Sequence, residues 1–256
     1  MVVKTIQEQP FQLTPRHGTP IYGLFRDTGA DPVGVFLHGF RSTLGGQKSV
    51  ALAEHANRSG YSWLRFDLSG HGRSGGEFQD FRLSRALDDA LAVLDMLAGR
   101  RVILVGSSLG GWLSVLAVGA RPDLIAGMLL IAPAFNFLQS YFGLQRATEL
   151  AKWRERGECR FEDLQTGEPF TLPYDVLVDA RAYDVLSEPV PIPCPVRILH
   201  GADDPVVPPA VSERFVDQAP SRDIQLEIIS GGGHGLNESI SRMRVCVDEL
   251  WIAACP

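Results

Sequence analysis

Short apolar runs alternate with helical patterns along most of this chain. Val33 to Leu37, Ser62 to Phe66, Val102 to Val105, Met128 to Ile131, Val196 to Leu199 and Ile224 to Ile229 predict strands. Each is short and bounded by Gly, Pro, Asp or Asn. Helical stripes lie between them. Leu83, Leu87, Leu91, Leu94 and Ala98 share one face, with Arg85, Asp88, Asp89 and Asp95 elsewhere and Gly99 ending the helix. Near the C-terminus, Ile240, Met243, Val247, Leu250 and Trp251 form a second stripe, with Asn237 placed to cap it. Alternation of this kind predicts an α/β fold, a mostly parallel central sheet with helices on both faces. The segment Phe11 to Asp27 alternates weakly and carries Gly18, Pro20 and Gly23, which predicts antiparallel strands at the sheet edge.

One segment breaks this rhythm. About sixty residues separate the strand ending near Pro133 from the one at Val196, far beyond an ordinary connection. The pattern therefore predicts a core over residues 1–134 and 190–256, with a small inserted lid over 135–189. Phe135, Phe137, Leu138, Tyr141 and Phe142 open the insertion, and Phe135, Phe137, Leu138 and Tyr141 are candidate substrate-binding residues. A charged patch with Lys152, Arg154 and Arg156 follows, then a hairpin near Thr166 and Gly167 and a short helix from about Tyr174. The cationic patch reads first as a solvated helix face and secondly as a contact for an acidic leaving group.

Two long uncharged stretches, Val102 to Ala120 and Leu124 to Gln145, reach transmembrane length, but glycines and a proline interrupt them. They read as buried strand-turn-helix and strand-loop-helix, so no membrane span is expected. The 256 residues suit one large domain, and 45% hydrophobic with 21% charged residues allows a full core. A net charge of −6 gives no electrostatic reason to bind nucleic acid. The four cysteines form no CxxC pair and predict neither a zinc site nor a disulfide framework. No metal and no cofactor is expected. Without a recognisable leader pattern before Pro10, a cytoplasmic location is expected.

Chemistry enters at Gly106-Ser107-Ser108-Leu109-Gly110, which fits G-x-S-x-G. The pattern alone is weak, but here a predicted strand precedes it and an apolar helix follows, the context the motif requires. A serine in that strained turn projects from the strand end, and the flanking glycines let backbone pass close by. Ser108 is the candidate nucleophile. A serine hydroxyl needs a base. Of six histidines only His200 and His234 follow Ser108, as the order nucleophile, acid, histidine demands. His234, in a glycine-rich loop after the last predicted strand, is the candidate base. The acid comes from the loop after Val196 to Leu199, where Asp203 and Asp204 are both available; position slightly favours Asp204, held by Pro205. Backbone N–H groups of Phe40 and Leu109 are the candidate oxyanion donors. His38 reads as a brace for the Phe40 loop. In Gly70-His71-Gly72, Asp67 reads as holding loop backbone and His71 as packed or hydrogen-bonded.

His38-Gly39-Phe40, Asp67 with Gly70-His71-Gly72, Gly106 to Gly110, Asp204 and His234 together resemble the α/β-hydrolase family across nearly the whole chain. The resemblance implies the α/β-hydrolase fold and the triad Ser108, Asp204 and His234. It also favours Asp204, because the family's acid sits as Gly-x-x-Asp, here Gly201 to Asp204. Arg65 to Gly70, Ile103 to Leu113, Ala120 to Pro122 and Pro191 to Gly201 are similar, within that family, to the acyl-glucuronide esterase and palmitoyl-protein thioesterase type. The expected activity is hydrolysis of small-molecule carboxylic esters or thioesters through an acyl-enzyme on Ser108. Alternatives are a carbon–carbon or amide hydrolase with the same triad, and a non-enzymatic ligand receptor on this fold. A dehalogenase is disfavoured, since its nucleophile is an aspartate.

Overall fold

The computed structural model describes residues 7–142, 147–163, 166–220 and 223–255. Its strands are β1 (Gln9–Leu13), β2 (Ile21–Arg26), β3 (Val33–Leu37), β4 (Ser62–Phe66), β5 (Val102–Ser107), β6 (Ile125–Ile131), β7 (Glu158–Glu162), β8 (Pro169–Pro173), β9 (Val196–Gly201) and β10 (Ile224–Ile229). Its α-helices are α1 (Gln47–Ser59), α2 (Leu83–Met96), α3 (Leu109–Ala120), α4 (Ala147–Arg156), α5 (Asp175–Ala180), α6 (Ala210–Gln218) and α7 (Ile240–Ala254).

Eight strands form one sheet in the order β1-β2-β4-β3-β5-β6-β9-β10. β1 and β2 pair antiparallel at one edge, as the weak alternation predicts, and β4, β3, β5, β6, β9 and β10 run parallel to one another. β3, β4, β5 and β9 are buried along their whole length, which explains the continuous apolar runs of β3 and β5. α1 and α7 cover one face, through Leu52, Ala56, Met243, Val247 and Leu250 packed on Phe36, Trp63, Val105 and Leu129. α2, α3 and α6 cover the other with a larger core that runs on into residues 135–186. These are the architecture and topology of an α/β-hydrolase fold.

Two helix expectations need correcting. The buried side of α2 is formed by Leu83, Ala86, Asp89, Ala90, Val93 and Leu94, while Leu87 and Leu91 are only half-buried and Ala98 is exposed beyond the helix end. Asp89 therefore faces inward. His17 Nε2 approaches its Oδ1 at 2.8 Å, the Ser69 N–H donates to Oδ2 at 2.7 Å and the Ser69 hydroxyl to Oδ1 at 2.9 Å. Burial raises its pKa, and these partners ease the desolvation of the carboxylate. Asn237 does not cap α7. The chain turns at Leu236, whose φ is 47°, then makes a 3-10 turn over Asn237–Ser239 before α7 begins, and the N-terminal position falls to Ser239 without a side-chain bond.

Between β6 and β9 the insertion comprises a π-helical turn (Leu138–Phe142), α4, the β7–β8 hairpin and α5. Trp153 is the buried residue of α4, and its indole N–H donates to the Leu172 carbonyl at 3.0 Å. Lys152, Arg154 and Arg156 consequently point outward and are exposed.

Candidate active site

The end of β5 and the start of α3 set the position of Ser108. Its backbone sits at φ 54°, ψ −114°, a conformation that costs a non-glycine residue of order 1–3 kcal/mol. The neighbours make it possible. A Cβ on Gly106 would strike the Gly110 carbonyl, and one on Gly110 would strike the Leu37 carbonyl. The turn is tied down from β6 and beyond, because the Ser108 N–H donates to the Ile131 carbonyl at 2.9 Å and the Ser108 carbonyl accepts from Ala134 N–H at 3.1 Å.

His234 reaches the serine from the loop after β10. Its Nε2 lies 2.9 Å from Ser108 Oγ and its Nδ1 2.7 Å from Asp204 Oδ2. The carboxylate acceptor fixes Nδ1 as the N–H, leaving Nε2 free to accept from the serine hydroxyl. Glycine is required where this loop crosses β9, since a Cβ on Gly201 would strike the Gly232 carbonyl.

The two adjacent aspartates separate by burial: Asp203 is exposed and Asp204 is 8% exposed. Asp204 Oδ1 accepts the Val206 and Val207 N–H groups at 2.8 and 2.9 Å, so Oδ2 faces the histidine. Burial by itself raises the Asp204 pKa, but hydrogen bonds from His200 and His234 and from backbone outweigh it and hold the carboxyl well below the usual range. His200, the other histidine that follows Ser108 in the chain, also bonds this aspartate. Fully buried at the end of β9, it has Nδ1 2.7 Å from Ser212 Oγ and Nε2 2.9 Å from the Val207 carbonyl. That places Nε2 3.3 Å from Asp204 Oδ2, the oxygen that also faces His234.

The loop after β3 lies against the serine, with the Cβ position of Gly39 only 3.3 Å from Ser108 Cβ. His38 braces it. The Leu68 N–H donates to His38 Nε2 at 3.0 Å, and Nδ1–H donates to the Gly39 carbonyl at 2.8 Å. Asp67 binds this loop to the next one, accepting Leu44 N–H at 2.7 Å and Arg73 N–H at 2.8 Å. His71 packs edge-on against Phe78 and bonds the Ser69 carbonyl at 3.0 Å. The Phe40 and Leu109 N–H groups make no hydrogen bond among the described residues.

Burial, with the nearby His71, pulls the His38 pKa down to about 3. The unfolded chain therefore binds a proton here that the folded protein refuses between pH 6.5 and about 3, so stability falls as pH falls through that window. Urea unfolding across it is expected to show a slope from this group of up to about 1.4 kcal/mol per pH unit. His38→Gln is expected to flatten that slope.

Two chambers meet at Ser108 and His234. One, of about 90 Å³, is walled by Phe40, Phe137, Phe142, Phe170, Val206 and Val207, with Glu162 and Asp163 at its rim. Phe40 packs edge-on against Phe137 and Phe170, with ring centroids 5.3 and 5.9 Å apart. Arg41 stacks over Phe170 at 4.6 Å and bonds Asp163 at 2.8 Å, linking the Phe40 loop to the hairpin. The other chamber, about 220 Å³, is polar and lies toward α1. Of the substrate-binding candidates, Phe137 lines the apolar chamber. Phe135 and Leu138 line neither: Phe135 turns into the core against Phe215, centroids 4.4 Å apart, and Leu138 is fully buried there. The side chain of Tyr141 lies outside the described residues. Lys152, Arg154 and Arg156 line neither chamber, because Trp153 takes the inward face of α4. Phe170 had no local signal, since it reaches the site from a hairpin about 60 residues after Ser108. Among the described residues no cluster of His, Cys, Asp and Glu is arranged to hold a metal ion, and no helix is long and apolar enough to cross a membrane.

Fold and site together define the serine hydrolases of the α/β-hydrolase class. The chain belongs to that family: residues 35–249 match the alpha/beta hydrolase family model. More particularly, it is 30% identical over 247 residues to the mitochondrial palmitoyl-protein thioesterase ABHD10 of Rattus norvegicus, covering 95% of this chain and 83% of the relative. Mouse alpha/beta hydrolase domain-containing protein 10 superposes with a TM-score of 0.88 at 30% identity, over 94% of this chain and 98% of that one. A putative hydrolase from Agrobacterium vitis S4 superposes with a TM-score of 0.87 at 33% identity, over 96% of this chain and 98% of that one.

Proposed function

We propose that this protein hydrolyses small-molecule carboxylic esters or thioesters through an acyl-enzyme on Ser108. The observation that carries the reading is the unbroken relay Ser108–His234–Asp204, open to both chambers. His234 Nε2 takes the hydroxyl proton as Ser108 Oγ attacks the carbonyl carbon. The tetrahedral oxyanion is held by the Phe40 and Leu109 N–H groups, both unengaged, with the N-terminus of α3 behind them. As the intermediate collapses, His234 returns the proton to the departing oxygen or sulfur. Water then repeats the cycle on the acyl-serine and frees the acid.

The apolar chamber takes the acyl group and the insertion over 135–189 is the lid above it. Aromatic side chains from the Phe40 loop and from the hairpin close that chamber, which supports a lid role. Its size favours a short acyl chain over a palmitoyl chain. Across a series of acyl thioesters, kcat/KM is expected to peak at short to medium length and to fall by palmitoyl. Phe142→Ala, which opens the chamber wall, is expected to move the peak to longer chains. We also read the protein as cytoplasmic, which four free cysteines support.

A fluorophosphonate probe tests the reading at its centre. Intact protein is expected to label at Ser108, and Ser108→Ala is expected not to label. Absence of labelling in the wild type refutes the assignment. Carbon–carbon bond hydrolysis is distinguished by inert esters alongside turnover of a dienone.

A further inference from the structure

Arg41 occupies a position where a side chain is a disadvantage. Gly39-Phe40-Arg41-Ser42 forms a turn, closed by the Ser42 N–H donating to the Gly39 carbonyl at 3.1 Å. Phe40 and Arg41 are its central residues, and the Arg41 backbone is left-handed, with φ 56°. A residue with a Cβ is disfavoured there, and glycine or asparagine is the usual choice. Here the arginine side chain is held from outside the turn. Its guanidinium lies 4.6 Å from the centroid of the Phe170 ring, and Nη1 donates to Asp163 Oδ2 at 2.8 Å. Weaker contacts, both at 3.5 Å, reach the Glu168 carbonyl and carboxylate. Asp163, Glu168 and Phe170 belong to the β7–β8 hairpin.

The far end of this grip is firm. Asp163 Oδ1 accepts the Thr166 N–H at 3.0 Å, which leaves Oδ2 for Arg41. The Asp163 N–H donates to the Glu168 carbonyl at 2.9 Å, and the Asp163 carbonyl accepts the Gly167 N–H at 2.8 Å. The Arg41 and Asp163 side chains are only 17% and 22% exposed, so solvent screens the pair less than on an open surface. The near end is the oxyanion loop. The Phe40 ring is wedged between Phe78 and Phe81 of the body, centroids 5.2 Å away, and Phe137 and Phe170 of the insertion. One short stretch of backbone thus carries both a candidate oxyanion donor and the residue that the hairpin holds.

We propose that Arg41 is a positioning residue for acyl transfer: gripped by Asp163 and Phe170, it holds the strained turn that aims the Phe40 N–H at the oxyanion. The proposal rests on acyl transfer at Ser108 with Phe40 as a donor. It gives the hairpin a second role, as a strut for the oxyanion loop. Arg41 lines neither chamber, so its effect passes through Phe40. Oxyanion donors act through geometry fixed before the reaction, and a misplacement of about 1 Å can cost about a hundredfold in rate. Without the grip, the turn relaxes toward negative φ at Arg41 and the Phe40 N–H leaves its aim. Ground-state binding needs no such alignment, so the loss falls on kcat.

Steady-state kinetics on a butyrate thioester and inhibition by propyl trifluoromethyl ketone test this. Ser108 Oγ adds to the ketone carbon, the hydroxyl proton passes to His234 and the carbonyl oxygen becomes an oxyanion, so the inhibitor reports on the donors. Arg41→Ala is expected to lower kcat by about 30-fold, less than the loss of a whole donor, with KM within about threefold. Ki for the ketone is expected to rise by the factor by which kcat/KM falls. Arg41→Gly takes the left-handed φ without strain and is expected to recover most of the loss in kcat, although it too lacks the side chain. Asp163→Asn is expected to lose part of the same factor, and the double variant Arg41→Ala/Asp163→Asn no more than Arg41→Ala. Arg121→Gln, at a surface ion pair with Asp95 at the opposite end of α3 from Ser108, is expected to leave kcat, KM and Ki unchanged. A loss confined to KM, unchanged ketone affinity in Arg41→Ala, or Arg41→Gly no better than Arg41→Ala overturns the proposal while the acyl-transfer reading stands. A lower melting temperature with unchanged kcat does the same. Failure of the wild type to label with fluorophosphonate at Ser108 overturns the acyl-transfer reading, and this proposal with it.

Discussion

Ser108→Ala is expected to lower kcat on an activated ester by about a million-fold, to the level left by the oxyanion donors and binding alone. The loss is expected without unfolding. The serine side chain contributes one hydrogen bond, to His234 Nε2, whereas the turn itself is held by backbone bonds to Ile131 and Ala134. His234→Ala is expected to cost a similar factor, and the double variant little more than either single one, because nucleophile and base act as a unit. Steady-state kinetics on all three proteins, with thermal unfolding as the control, checks this. A Ser108→Ala enzyme retaining even a hundredth of the wild-type rate would move the nucleophile elsewhere.

Asp204→Asn is the second large effect, about ten-thousand-fold in kcat. The local hydrogen bonds explain why an isostere fails. Oδ1 accepts two backbone N–H groups, from Val206 and Val207, so an asparagine must present its oxygen there. Its amide NH₂ then faces His234 Nδ1, which becomes the acceptor. The proton shifts to Nε2, and the ring no longer accepts from Ser108. The same NH₂ is set against His200 Nε2–H, 3.3 Å from the original Oδ2. Asp203→Asn, at the exposed neighbour, is expected to leave kcat within about twofold, since surface substitutions away from such contacts have small effects. Equal losses in the two variants would reverse the assignment of the acid.

The contrast between the aspartates shows what local sequence holds. Gly106 to Gly110 between an apolar strand and an apolar helix is a steric statement about neighbouring backbone. It requires no distant partner, so the turn at Ser108 is readable from five residues. Chain order then leaves His200 and His234, and the glycine-rich loop favours His234. The parallel core is equally readable, because its strands are buried on both faces and β3 and β5 in particular appear as apolar runs.

Other features depend on what lies across the fold. Asp89 looks like a solvent-facing helix residue until His17 and Ser69 arrive from elsewhere in the chain to bond it. Phe135 and Leu138 have the composition of a binding wall, yet the bend after β6 turns them into the core and leaves Phe137 at the chamber. Phe170 and Lys48 reach the neighbourhood of Ser108 from a hairpin and a helix far away in sequence.

By itself, the sequence determined the parallel α/β core, the strained turn that presents Ser108 and the histidine that serves it, because periodicity and steric exclusion act over a few residues. Only the tertiary structure decided the orientation of Asp204, the inward turn of Asp89 and the identity of the chamber walls. Those depend on which side chain meets which across the sheet, a property of three-dimensional packing that local pattern does not encode.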